Sequence, residues 1–152
     1  GRLIIDSTFD GQLQAWSPGS SPDTLTRVWN TRLSTPAFSF VSSGDDLVAA
    51  DMGGGLHSID LHSGETNWQQ QVHHNALYWN TLHNQRLISL GASGVLYILD
   101  IRTGERQQML RFTGRFDQAP VIQGQTLVLY DQTGTVQRVT AGELYGHPES
   151  MM

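Results

Sequence analysis

The chain has 152 residues, a net charge of −5 and an isoelectric point near 5.5, and its length suits one domain. Cysteine is absent, which excludes disulfides, thiol nucleophiles and thiolate metal sites. All nine basic residues are scattered arginines, not the basic stripe of a duplex nucleic-acid binder. No apolar run approaches the roughly 18 residues of a membrane-spanning helix.

In chain order, four similar units follow one another, spanning approximately residues 1–34, 35–73, 74–113 and 114–145, with a tail at 146–152. A glycine recurs as Gly11, Gly54, Gly94 and Gly134, in steps of 43, 40 and 40 residues. Seven residues before each stands Ile4, Leu47, Leu87 or Leu127, and two residues after each stands Leu13, Leu56, Leu96 or Val136. The first unit carries a long insertion before Trp29, and the second opens on "PAFSF". The third divides into "LYWNTLHN", "RLISL", "VLYILDI" and "QQMLRF", and the fourth into "PVIQG", "QTLVLYD" and "GTVQRVT". These runs are short, rich in β-branched and aromatic residues, and bounded by Gly, Asn or Asp, as strands are. Gly44, Asn84 and Gly124 fall where hairpin turns need a positive φ. No window holds a capped 3.6-residue period, so no helix is predicted.

"RLISLG" and "VLYILDI" are apolar on both faces, whereas a strand with one wet face alternates. Such strands need cover on both sides. A period of about 40 residues with four strands per unit predicts an all-β fold, a β-propeller segment of about four antiparallel blades. A two-sheet sandwich leaves the period unexplained.

The stretch "SIDLHSGE" in the second unit returns as "YILDIRTGE" in the third. Asp60 with Gly64, and Asp100 with Gly104, are read as turn formers: Asp accepts hydrogen bonds from the amides ahead of it, and Gly closes the turn. "SIDLHSGETNW" resembles the tryptophan-docking motif of quinoprotein-like propellers, complete here with Trp68. Trp29 takes the like place in the first unit, Gln108 in the third, and Tyr145 is a substitute in the fourth. The resemblance implies that such a Trp packs between neighbouring blades.

Over residues 1–141, and above all through "GVLYILDIRTGERQQMLRF", the order and spacing are similar to the C-terminal end of the BamB family, lipoprotein propellers of the outer-membrane β-barrel assembly machinery. The resemblance implies half of an eight-bladed ring. It also implies a non-catalytic scaffold in the periplasm, anchored to the outer membrane through an upstream lipoprotein segment, with protein partners in an envelope-assembly complex. The start at Gly1 without Met fits a piece of a longer protein. Three lead-in strands serve four units, so two copies pairing to complete a ring is a further expectation. The rival readings are part of a quinone-dependent periplasmic dehydrogenase and a luminal sensor domain built on the same repeats.

No catalytic, cofactor or metal residues are assigned. No acidic cluster suits a quinone-bound metal, and the six histidines lack zinc spacing. His73 and His74, adjacent on an extended segment, are expected to point opposite ways. Partner binding is placed on the rim shared by the second-to-third-strand loops and the joining loops, with Phe9, His73, His74, Arg115 and Phe116 as its candidates. Phe116 beside Arg115 suits an interface anchor; the competing reading packs Phe116 under its own loop.

Overall fold

A computed structural model of the chain describes residues 2–21 and 23–140. The chain divides into two compact units, residues 1–76 and 77–152, and each holds two antiparallel sheets. In the first unit, one sheet comprises β1 (Ile4–Ser7), β2 (Gln12–Pro18) and β3 (Leu25–Arg32). The other comprises β4 (Ala37–Ser43), β5 (Asp46–Asp51), β6 (Gly55–Asp60) and β7 (Thr66–Gln71). The second unit holds β8 (Trp79–His83), β9 (Arg86–Leu90), β10 (Val95–Asp100) and β11 (Arg106–Arg111). Its other sheet has β12 (Val121–Gln123), β13 (Thr126–Tyr130) and β14 (Val136–Thr140). Strand order follows chain order in every sheet. The described residues contain no helix, hence none long and apolar enough to cross a membrane.

The middle strands behave as their unbroken apolar runs require. Leu47, Val48, Ala49 and Ala50 of β5 are all buried, as are Leu87, Ile88, Ser89 and Leu90 of β9. In the first unit Leu13, Ala15 and Trp29 of one sheet meet Ala37, Leu47, Ala49 and Ile59 of the other, with Leu33 between them. In the second, Ile88, Leu90, Leu96 and Ile98 meet Leu127, Leu129 and Val139. Each fully buried Leu or Ile contributes about 1.5–3 kcal/mol. β2 differs: Leu13 and Ala15 are buried while Gln12, Gln14 and Trp16 are half-buried. Its second face is polar, with Trp16 Nε1 and Gln14 Nε2 donating to Asp6 Oδ1 at 3.3 and 3.4 Å, and Arg27 reaching Gln14.

The repeated turn has the same hydrogen bonds twice. Gly64 N donates to Asp60 O, and Gly104 N to Asp100 O, each at 2.8 Å. Asp60 Oδ1 accepts from the amides of His62 and Ser63, and Asp100 Oδ1 from that of Arg102. The amides of His62 and Ser63 hold the Asp60 carboxyl below its ordinary pKa. A β-bulge recurs beyond it, between Ala15 and Trp16, Ser58 and Ile59, and Ile98 and Leu99. It sets Trp29 opposite Ala15, Trp68 opposite Ser58 and Gln108 opposite Ile98. Trp29 lies flat against the turn of the next sheet. A Cβ on Gly64, whose φ is +76°, would meet the indole at 2.7 Å, and Trp29 Nε1 donates to Leu61 O at 2.7 Å. Trp68 is half-buried. Tyr145 lies outside the described residues.

Two substitutions separate the turn types. Gly64→Ala combines left-handed strain with the Trp29 clash and is expected to cost more than about 2 kcal/mol. Asn84 and Gln85 both have positive φ, 51° and 63°, the geometry of a type I′ hairpin that favours Asn-Gly. Gln85→Gly is therefore expected to raise stability by about 0.5–1 kcal/mol. Urea unfolding midpoints at constant m-value check both.

Candidate functional site

The loops that join β1 to β2, β5 to β6, β9 to β10 and β13 to β14 are four versions of one turn. Gly11, Gly54, Gly94 and Gly134 donate their amides to Thr8, Asp51, Gly91 and Asp131 carbonyls respectively, at 3.1–3.3 Å. The first three glycines then accept, through their carbonyls, from the strand leaving the same sheet: Leu33 N to Gly11 O, Val72 N and His73 N to Gly54 O, and Phe112 N to Gly94 O. Gly54 has φ +87°, and a Cβ there would strike the His73 carbonyl, so this junction accepts no side chain. Joining loops and turns are thus laced into one rim within each unit.

In the first unit this rim carries an apolar cleft of about 350 Å³ lined by Ser7, Thr8, Phe9, Pro36, Ala37, Phe38 and Met52. Phe9 is 101% exposed and Met52 50%. Their backbones are nonetheless fixed. Thr8 Oγ1 bonds Asp10 and accepts from Gln12 N, while Arg32 Nη1 donates to Asp10 O at 2.7 Å. The Thr8 hydroxyl is the main cause of a lowered Asp10 pKa. Met52 N donates to Pro36 O at 3.0 Å. Behind Met52 lies a buried acid–base pair. Asp51 Oδ1 accepts from Gly53 N and Gly55 N, both at 2.8 Å, and Asp51 Oδ2 bonds His57 Nε2 at 2.7 Å. Both side chains are under 5% exposed. Burial alone would push the Asp51 carboxyl up; the His57 contact and the two glycine amides outweigh it and hold the pKa low. Sealed from solvent, this carboxylate–imidazole pair latches the turn that presents Met52.

The remaining rim candidates fall in several places. Phe116 is corrected: at 1% exposure it belongs to the core of the second unit, and its amide donates to Ala92 O at 2.9 Å. The ring fills the space under its own loop instead of reaching a partner. Arg115 beside it is exposed, and its carbonyl accepts from Gln132 N. His73 is half-buried and His74 exposed. Their ring centroids are 4.2 Å apart, which corrects the expected opposite orientation: the segment bends after Val72 rather than staying extended. The Asp51–His57 pair was missed by sequence reasoning. "DMGGGLH" reads as a tight turn, and nothing in its spacing announces that His57 folds back onto the turn's first residue. Among the described residues no group of three His, Cys, Asp or Glu could hold a metal ion.

No family model matches the chain, and no curated protein matches it. Solved structures do. The C-terminal WD40 domain of Sif2 matches with a TM-score of 0.79 at 12% identity, covering 93% of this chain and 43% of that one. BamB from Moraxella catarrhalis matches with a TM-score of 0.74 at 20% identity, covering 93% and 47%. The computationally designed Ika4 protein matches with a TM-score of 0.75 at 15% identity, covering 92% and 86%. The fold is that of a β-propeller segment. The chain spans less than half the length of the Sif2 and BamB structures.

The latch gives a pH prediction. A carboxyl whose pKa is depressed by folding contributes stability that is present above its unfolded pKa, about 3.9, and is lost as pH falls through the folded value. Between pH 5 and 2 the wild-type chain should therefore lose stability more steeply than Asp51→Asn, in urea titrations at stepped pH. At pH 7, Asp51→Ala leaves the half-buried Gly53 amide, the buried Gly55 amide and His57 without their acceptor and should cost about 3 kcal/mol or more.

Proposed function

We propose that this chain is a non-catalytic protein-binding scaffold, working in the periplasm as a BamB-like component of an outer-membrane β-barrel assembly complex. Propeller folds commonly mediate protein–protein interaction. The observation that carries the binding reading is the rim cleft: a fully exposed Phe9 and a half-exposed Met52 held on hydrogen-bonded turns. Aromatic residues and Met are enriched at protein interfaces, and a rigid mount spares the ordering cost of binding. The Asp51–His57 pair is inaccessible to a substrate, so the acid–base chemistry in this rim serves geometry. The envelope assignment is supported by the docking motif through Trp68 and by the order and spacing of the last two repeats.

Phe9→Ser tests the reading. Its side chain meets solvent, so folding stability should stay within about 0.5 kcal/mol. Binding of the purified protein to the barrel-assembly complex of its own source should weaken roughly 30-fold, as loss of an interface hot spot does, measured by surface plasmon resonance. Equal binding by variant and wild type would remove the cleft from the interface. No binding by the wild type would sink the envelope assignment.

A further inference from the structure

β3, β7 and β11 hold equivalent places, each meeting its neighbour through the same bulge. Each pairs with one strand only, and the chain then passes to a different sheet. An unpaired edge offers its backbone N–H and C=O groups to any extended chain that meets it, and charged side chains are a usual guard. β3 carries Arg27 and Arg32, and β11 carries Arg106 and Arg111. β7 carries no charge, and five of its six residues are exposed. Described strands precede and follow it, and none of them takes its outer edge.

The backbone of β7 turns outward at alternate residues. Val72 N donates to Gly54 O at 3.1 Å, and the same register sets Gln70 opposite Leu56. Hydrogen-bonded pairs alternate with non-bonded ones in an antiparallel ladder. Gln70 therefore bonds inward to β6, while Gln69 and Gln71 present their N–H and C=O groups to the open edge. The amide side chains at the two ends of the strand are held by their own sheet. Asn67 Nδ2 donates to Asp46 Oδ1 and Ser58 Oγ, and Gln71 Nε2 to Gly53 O and His73 O. Gln69, between them, is exposed, and its side-chain amide can both donate and accept.

We propose that the β7 edge pairs antiparallel with the same edge of a second copy of this chain, with Gln69 on the two-fold axis. That register sets Gln69 opposite its counterpart in a hydrogen-bonded pair and Asn67 opposite Gln71. A glutamine amide complements itself across the axis, whereas arginine-bearing edges such as β3 or β11 repel their own copies. The strand ends also suit each other. Glu65 precedes β7 and His73 and His74 follow it, so antiparallel pairing turns the carboxylate of one copy toward the imidazoles of the other. Nothing along the edge selects a foreign sequence in this way. The contact is isologous and closes at two copies. It differs from a pairing that completes a ring, which buries sheet faces and leaves Gln69 in solvent.

The test is sedimentation equilibrium of the whole 152-residue chain across about two decades of concentration up to about 1 mM, a span suited to a small interface. The average mass should climb towards that of two chains. Gln69→Lys and Gln69→Glu each place like charges across the axis and should each weaken self-association roughly tenfold or more. An equimolar mixture of the two should associate at least as tightly as the wild type, which excludes misfolding as the cause of the loss. Gln107→Lys, on β11, should change nothing. Amide exchange at Gln69 and Gln71 should slow as the wild-type concentration rises. A wild-type mass that stays monomeric, association that survives both Gln69 substitutions, or a mixture that fails to associate would overturn the proposal. Protection confined to residues outside β7 would assign the association to another face and overturn it as well.

Discussion

The structure depends on sheets whose central strands have no polar face. Leu87 to Leu90 and Val95 to Leu99 are buried without alternation, and a strand of that kind is stable only when something apolar lies on each side of it. Within each unit the cover is a second sheet of the same design. The contact between sheets is made specific by Trp29, whose ring rests on a glycine turn and whose indole N–H finds the Leu61 carbonyl. A generic apolar side chain would fill the volume. The indole also satisfies the half-buried Leu61 carbonyl and requires a glycine at position 64, and together these fix the distance and register between the sheets. The β-bulge just before the Trp position recurs in three sheets and turns that side chain toward its seat.

The two ends of each sheet solve different problems. At one end the turn is the same in the two four-stranded sheets, with Asp60 and Asp100 accepting amide hydrogen bonds ahead of a left-handed glycine. At the other end the backbone turn is conserved in geometry while its internal acceptor changes: the hydroxyl of Thr8, the paired carboxylate of Asp51, no side chain at Gly91, and the carboxylate of Asp131. The Thr133 hydroxyl and the nearby amides hold the Asp131 carboxyl low in pKa. A frame that works with a hydroxyl, a carboxylate or no side-chain acceptor at all leaves the residues riding on these turns, Phe9 and Met52 among them, free to be chosen for what they present.

The frame was legible in the sequence because it is written in period and pattern. The recurrence of Gly11, Gly54, Gly94 and Gly134 at steps of 43, 40 and 40 residues located the turns, and unbroken apolar runs located the strands with two covered faces. Gly44, Asn84 and Gly124 do carry the positive φ their hairpins require. The site was legible in part. Phe9 and Met52 could be placed on the rim from topology, since any residue beside a turn glycine emerges there. Phe116 could not be sorted from them by the same rule. Its fate depends on whether its loop folds back to leave a ring-sized space above Ile88 and Leu127, which is a fact of tertiary packing. Asp51 and His57 escaped for a related reason: six residues apart, they meet only because β5 and β6 form a hairpin whose turn brings the carboxylate over the imidazole.

The two faces of the first sheet are chemically unlike, and this determines what each can pack against. The face turned away from β4 and β5 carries Asp6, Gln14, Trp16 and Arg27 in a hydrogen-bonded chain. Stacking another apolar sheet on it would strand a carboxylate and a guanidinium in a low dielectric at a cost of several kcal/mol. The opposite face carries Leu13, Ala15 and Trp29 into the core shared with Ala37, Leu47, Ala49 and Ile59. Polar faces thus discourage the indiscriminate stacking to which a surface built for burial is prone. The hydrogen-bonded polar chain on one face and the apolar side chains on the other thus decide which face of this sheet enters the core.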